Sequence, residues 1–188
     1  MLIMKFAPGK VIDKAVINGK EVIFRYPKSS DLNGMLVYIN RMVVERAPLG
    51  IQNIVARKKE KEDLKDVIKK MKSGSSVKIC VIVDGIFSGS GDVSKSAMDM
   101  TAHVSEVGIG LDRDVRGLGI GKRLMELLIE HARKYFKSEI IRLDVDSHNK
   151  IAQCLYKKTG FRIAGKIPKG CRTKSGKYYD DIIMVKKL

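Results

Sequence analysis

The sequence predicts a mixed α/β fold, a mixed sheet with helices packed on it, and three observations carry that expectation. Two stretches, 57–72 and 121–137, place apolar residues at helical spacing. Apolar runs at 21–26, 77–83 and 139–146 are rich in the β-branched residues that strands favour. Asn18-Gly19 and Asp84-Gly85 follow or separate such runs, where a two-residue hairpin turn needs positive φ.

Taken in order, Val11–Ile17 and Glu21–Tyr26 flank the first turn and read as a hairpin. A helix follows from Asp31, an N-cap residue type, to Arg46, with Leu32, Leu36, Ile39 and Val43 as its inner stripe and Pro48 and Gly50 closing it. The stretch Arg57–Lys72 carries eight basic and four acidic residues around an apolar stripe of Leu64, Val67, Ile68 and Met71, so its charges form a solvated face. Val77–Val83, Ile86–Val93 and Ala102–Leu111 read as a meander of strands. A helix over Gly121–Lys137 presents Leu124, Leu127, Leu128, His131 and Tyr135 on one face. Glu139–Asp146 reads as a strand buried on both faces, Asn149–Lys158 as a helix and Tyr178–Val185 as the last strand. With no internal repeat and no long linker, residues 1–188 are expected to form one domain.

Composition narrows the function classes. The 188 residues carry 37 Lys and Arg against 21 Asp and Glu, a formal charge of +16, which asks for a nucleic acid, an anionic ligand or a solubilising surface. No apolar run approaches the ~18 residues of a membrane span. The first residues lack the basic region of a secretory signal. Cys80, Cys154 and Cys171 lie far apart without a CxxC pair, and no histidine cluster has metal-ligand spacing. A cytoplasmic protein without a metal is expected.

The most informative segment is the run Arg116-Gly117-Leu118-Gly119-Ile120-Gly121-Lys122, where a strand opens into a helix. Free backbone N–H groups and the positive end of a helix meet there, and glycines let a ligand approach without a Cβ in the way. Phosphate or diphosphate is the guest such a turn suits. A Walker loop fails twice, since Arg116 stands where it needs glycine and Arg123 where it needs Ser or Thr. A GxGxxG fingerprint fails at Lys122 in one register and at Leu124 in the other.

The turn resembles the acyl-CoA signature of the GNAT superfamily of N-acetyltransferases, Arg/Gln-x-x-Gly-x-Gly/Ala, through Arg116, Gly119 and Gly121. The resemblance continues through Asn149, Ala152, Leu155 and Tyr156, like the family's Asn-x-x-Ala-x-x-Leu-Tyr, and through Gly160-Phe161. It covers roughly 21–188 and is nearest to ribosomal-protein N-terminal acetyltransferases. It implies a strongly twisted mixed sheet, splayed between the fourth and fifth family strands, with helices on both faces. Residues 1–20 lie outside it, with an added edge strand or a homodimer contact as their two open roles.

The resemblance also implies acetyl-CoA as cofactor and a primary amine as acceptor, a small molecule or a protein. Amides of Arg116, Gly117, Leu118, Gly119, Ile120, Gly121 and Lys122 would cradle the diphosphate. Main chain of Ile109, Gly110 and Leu111, beside a bulge, would pair with the pantetheine arm, and Asn149 would bond the cofactor further along. An amine of pKa ~10.4 is almost wholly protonated at neutral pH, so a base or a water chain must take its proton. Glu106 and Asp144 are the candidates, and either could instead merely satisfy a strand end. Tyr156 is the candidate proton donor to the CoA thiolate.

Acceptor choice is left to the first two helices and to residues 165–177, which hold five basic residues and no acid and read as a basic loop favouring anionic acceptors. The rival class, a nucleic-acid-binding module, wants a basic face with stacking aromatics. The sequence has no Trp, and Tyr178-Tyr179 is the one aromatic pair near that loop.

Overall fold

Asn18 and Gly19 have φ of 49° and 75°, and Asp84 and Gly85 have 48° and 79°, so both expected hairpin turns take the left-handed pair that matches strand twist. The computed structural model describes residues 6–188. In it the first turn joins β1 (Val11–Ile17) to β2 (Lys20–Arg25), and the second joins β3 (Ser76–Val83) to β4 (Ile86–Lys95). The added edge strand expected within residues 1–20 is β1; residues 1–5 lie outside the described residues.

With β5 (Val104–Leu111), β6 (Ile140–Asp146), β7 (Arg162–Arg172) and β8 (Tyr178–Lys187), these strands form one sheet in the order β1-β2-β3-β4-β5-β6-β8-β7. Every pairing is antiparallel except β5 with β6. That parallel pair requires a crossover, supplied by α3 (Ile120–His131) and a wide turn over Ala132–Phe136.

One face of the sheet packs on α1 (Leu32–Val44) and α2 (Arg57–Ser73), through Met35, Tyr38, Met42 and Leu64 against Cys80, Ile82 and Phe87. The other packs on α3 and α4 (Lys150–Lys158), through Leu124, Leu128, Tyr156, Ile141 and Met184. His131 is a core residue: Tyr26 Oη lies 2.9 Å from its Nε2 and Leu127 O lies 2.7 Å from its Nδ1.

Three expectations need correction. The buried line of α1 is Met35, Tyr38 and Met42, a residue away from the expected stripe. Gly34 explains the rotation, because a Cβ there would lie 2.9 Å from Phe87 Cβ, so the helix backbone comes down onto the sheet. Asp31 does not cap α1 with its side chain; its carboxylate accepts from Arg25 at 2.6 and 2.7 Å and from the Lys28 amide at 2.8 Å. Residues 162–172 form an edge strand rather than a loop. Pro168 and the glycines there hide strand alternation, and its register shifts twice against β8.

Candidate active site

The glycine turn is built as the sequence demands. Gly117 and Gly119 have φ of 77° and 90°, and the space where each Cβ would stand is open. Gly119 is the residue before α3, so the helix opens with its first amides uncommitted. Among the described residues the N–H groups of Gly117, Leu118, Gly119, Ile120, Gly121 and Lys122 meet no acceptor. The Arg116 amide differs, donating to Arg113 O at 3.2 Å.

The basic side chains around the turn are largely committed elsewhere. Arg116 Nε donates to Leu111 O at 2.8 Å, and its guanidinium lies against Met42 and Glu45. Arg123 pairs with Asp13 at 2.6 Å. Lys122 has Glu126 at 3.8 Å. Backbone amides, rather than a cluster of free cations, give the turn its positive end.

Next to the turn the sheet comes apart. β5 pairs with β6 only at Val104↔Ile140, Ser105↔Ile141 and Glu106↔Arg142. Against β4 it stays paired out to Gly89↔Leu111. The main-chain edge of Val107–Leu111 that would meet β6 is therefore open, and it leads from Glu106 towards the glycine turn. The expected bulge in β5 is absent, since its register with β4 is unbroken from Ser105 to Leu111. The irregularity sits one strand over, where β4 shifts against β3 between Val81 and Ile82. Splaying from β6 alone opens the slot.

A cleft of about 230 Å³ lies on the α1 side of this opening, lined by Tyr38, Leu49, Ser90, Asp92, Gly108 and Gly110. Gly110 is required by packing: a Cβ there would fall 2.5 Å from Tyr38 Oη. Glu106 shares the cleft's sheet face, in alternation with Gly108 and Gly110, and is exposed.

A family model described as "Acetyltransferase (GNAT) family" matches residues 64–161, more than half of the chain. The chain is a GNAT-family acetyltransferase. No curated protein sequence matches it. Its fold is similar to a GNAT-family acetyltransferase from Streptococcus pneumoniae, at 21% identity and TM-score 0.79 over 89% of this chain and 100% of that one. It is also similar to the ribosomal-protein-S5-alanine acetyltransferase of Vibrio fischeri, at 20% identity and TM-score 0.79 over 93% and 96%. A third is yncA from Salmonella typhimurium, solved with its cofactor acetyl-CoA, at 18% identity and TM-score 0.77 over 89% and 94%.

In this GNAT acetyltransferase the two candidate bases differ in company. Asp144 is tied to Arg142, whose Nη2 lies 3.1 Å from its Oδ2. Glu106 makes no ion pair among the described residues. Tyr156 lies across the sheet, 6% exposed beside Phe161, and burial pushes its phenol up to about 12. Asn149 caps α4, its Oδ1 accepting from the Ala152 amide at 3.1 Å, which leaves its Nδ2 to donate to a ligand.

Some residues of this GNAT site escaped the sequence. Tyr38 and Asp92 line the cleft from elements that carry no motif. Asp112, 3% exposed, accepts from Arg41 Nη1 at 3.0 Å while its Oδ1 meets no partner, and burial holds its carboxyl above the usual range. Asp181 pairs with Asp146 on the face shared with Asp144; burial and Asp144 raise its carboxyl too. The basic side chains of Lys166 and Arg172 sit in register with Ile182 and Tyr178, on the opposite face. On the face of the opening Asp92 is paired with Lys78 at 3.1 Å and Asp144 with Arg142, while Glu106 makes no ion pair among the described residues.

Proposed function

We propose that this acetyltransferase takes its acetyl group from acetyl-CoA and delivers it to a primary amine by direct attack. The observation that carries the reading is the end of β5–β6 pairing at Glu106↔Arg142, with an open strand edge running towards uncommitted amides. Acetyl-CoA supplies a thioester, an acyl group already activated for transfer.

Each residue then has a task its surroundings support. The amides of Gly117 to Lys122 bind the diphosphate, aided by the α3 dipole. The edge of Ile109, Gly110 and Leu111, where Leu111 O already accepts from Arg116 Nε, pairs with the pantetheine arm as another strand would. Asn149 Nδ2 bonds further along that arm. Glu106, exposed and unpaired, takes the proton from the amine directly or through a water, while Asp144, held by Arg142, has the lesser claim. Tyr156, a phenol that is protonated at neutral pH and that burial holds more firmly so, gives its proton to the departing thiolate.

The acceptor is a protein N-terminus, a lysine or a small amine. Glu106, exposed and without an ion pair among the described residues, and Asp181 on the same sheet face support an acceptor that arrives as a cation, while Asp92 and Asp144 are already paired with Lys78 and Arg142. This runs against the preference for anionic acceptors that residues 165–177 suggest by composition. The three cysteines are free, which suits a reducing cytoplasm. Among the described residues no helix is long and apolar enough to cross a membrane.

Thiol release from acetyl-CoA, followed across polyamines, amino acids, aminoglycosides and amino-terminal peptides, tests the reading. Acceptor-dependent release, strongest with acceptors bearing a second positive charge, is expected. No acceptor-dependent release with any of these classes would refute it.

A further inference from the structure

We infer that the β1–β2 hairpin, which lies outside the matched span 64–161, is a brace for the diphosphate-binding turn, with Asn18 and Asp13 as its positioning residues. Asn18 Nδ2 donates to Leu118 O at 3.1 Å, a contact between residues one hundred apart in sequence. Asp13 Oδ2 accepts from Arg123 Nε at 2.6 Å, tying β1 to the first turn of α3. The two contacts grip the turn on either side of Gly119.

The chemistry gives each contact a purpose. A turn that offers amides to an anion must keep its carbonyls aimed away, because a carbonyl dipole facing the anion is repulsive. Leu118 stands between two glycines of positive φ, where the peptide planes have the greatest freedom to rotate. The Asn18 amide holds the Leu118 carbonyl outward, which orients the peptide joining it to Gly119. Asp13 fixes Arg123 and with it the start of α3, whose leading amides complete the cradle. Asn18 is itself rigidly placed, as the first central residue of the turn at φ 49°. The hairpin has a second anchor in the β2–β3 pairing, so the brace rests on the sheet.

The inference rests on the reading that the turn binds the acetyl-CoA diphosphate, and the test separates the two. Asn18→Gly keeps the turn, because glycine accepts its φ, and removes only the donor. In the ligand-free protein ¹⁵N relaxation order parameters should fall within residues 117–122 and stay unchanged elsewhere. By calorimetry the acetyl-CoA dissociation constant should rise about two- to fivefold, the scale of one exposed hydrogen bond. Asn18→Gly with Asp13→Ala should raise it about tenfold, since the second contact is charge-assisted. Lys14→Ala, which removes only the neighbouring pair with Glu21, should leave both readouts unchanged.

Unchanged order parameters in the turn, or unchanged affinity in the double variant, overturns the brace. An effect spread across the whole sheet, with a lowered melting temperature, also overturns it by showing general loosening. Wild-type protein that does not bind acetyl-CoA brings down the functional reading itself, and the brace with it.

Discussion

Glu106 and Arg142 form the last rung shared by β5 and β6, and one residue beyond it the two strands part. The base candidate therefore stands at the apex of the opening, on the sheet face of the α1-side cleft. Tyr156, the proton donor candidate, packs on the opposite face. An acceptor and a leaving thiolate that meet in the opening would be served from two sides of one sheet.

This arrangement separates the two carboxylates. Glu106→Gln should lower kcat by roughly a hundredfold, the scale of a lost general base. Asp144→Asn should cost no more than a few fold, because Arg142 already occupies that carboxylate. Steady-state kinetics on the two variants check the assignment, and the reverse ranking would transfer the role to Asp144.

Tyr156→Phe should lower kcat roughly tenfold or more with little change in acetyl-CoA affinity. The ring keeps its packing beside Phe161, so the melting temperature should hold. A variant with full kcat would remove Tyr156 from the mechanism.

Gly110 and Tyr38 should be energetically coupled. Gly110→Ala places a methyl 2.5 Å from Tyr38 Oη and should cut activity at least tenfold. Tyr38→Phe removes the obstructing oxygen, and the next nearest ring atom, Cζ, is 3.8 Å away. The double variant should recover most of the activity lost by Gly110→Ala alone. A double-mutant cycle with no coupling contradicts this account of the close approach.

Stability should fall on the acid side through His131. Burial lowers its pKa in the folded protein, so the unfolded chain binds the proton more readily. Its contribution is complete above the unfolded value of ~6.5 and is lost as the pH falls through the lowered folded value. Protonation would also end acceptance from Tyr26 Oη at Nε2. Melting temperature against pH should show this acid-side loss in the wild type and a flatter profile in His131→Gln.

Much of this architecture is legible in the sequence, for local reasons. Asn18-Gly19 and Asp84-Gly85 admit few other turns, and the apolar stripe of α3 has no alternative face. Gly117 and Gly119 are needed for their φ whatever the turn binds. What escaped depends on distance. That Arg116 lies against Met42 and Glu45, and Arg123 turns to Asp13, is decided by groups remote in sequence, so their charges looked free when counted along the chain. β7 escaped because an exposed edge strand with Pro168 owes its form to pairing with β8 rather than to alternation. The gathering of Asp92, Glu106, Asp144 and Asp181 on one face escaped because they belong to separate strands. The +16 balance pointed towards anions everywhere, yet Glu106 at the head of the opening is an exposed acid with no ion pair among the described residues.

Amide chemical shifts of ¹⁵N-labelled protein titrated with acetyl-CoA test the central claim most directly. The largest changes are expected at Gly117–Lys122 and at Ile109–Leu111, with smaller ones at Asn149. Saturable changes confined to another surface, or no change at all, would contradict it.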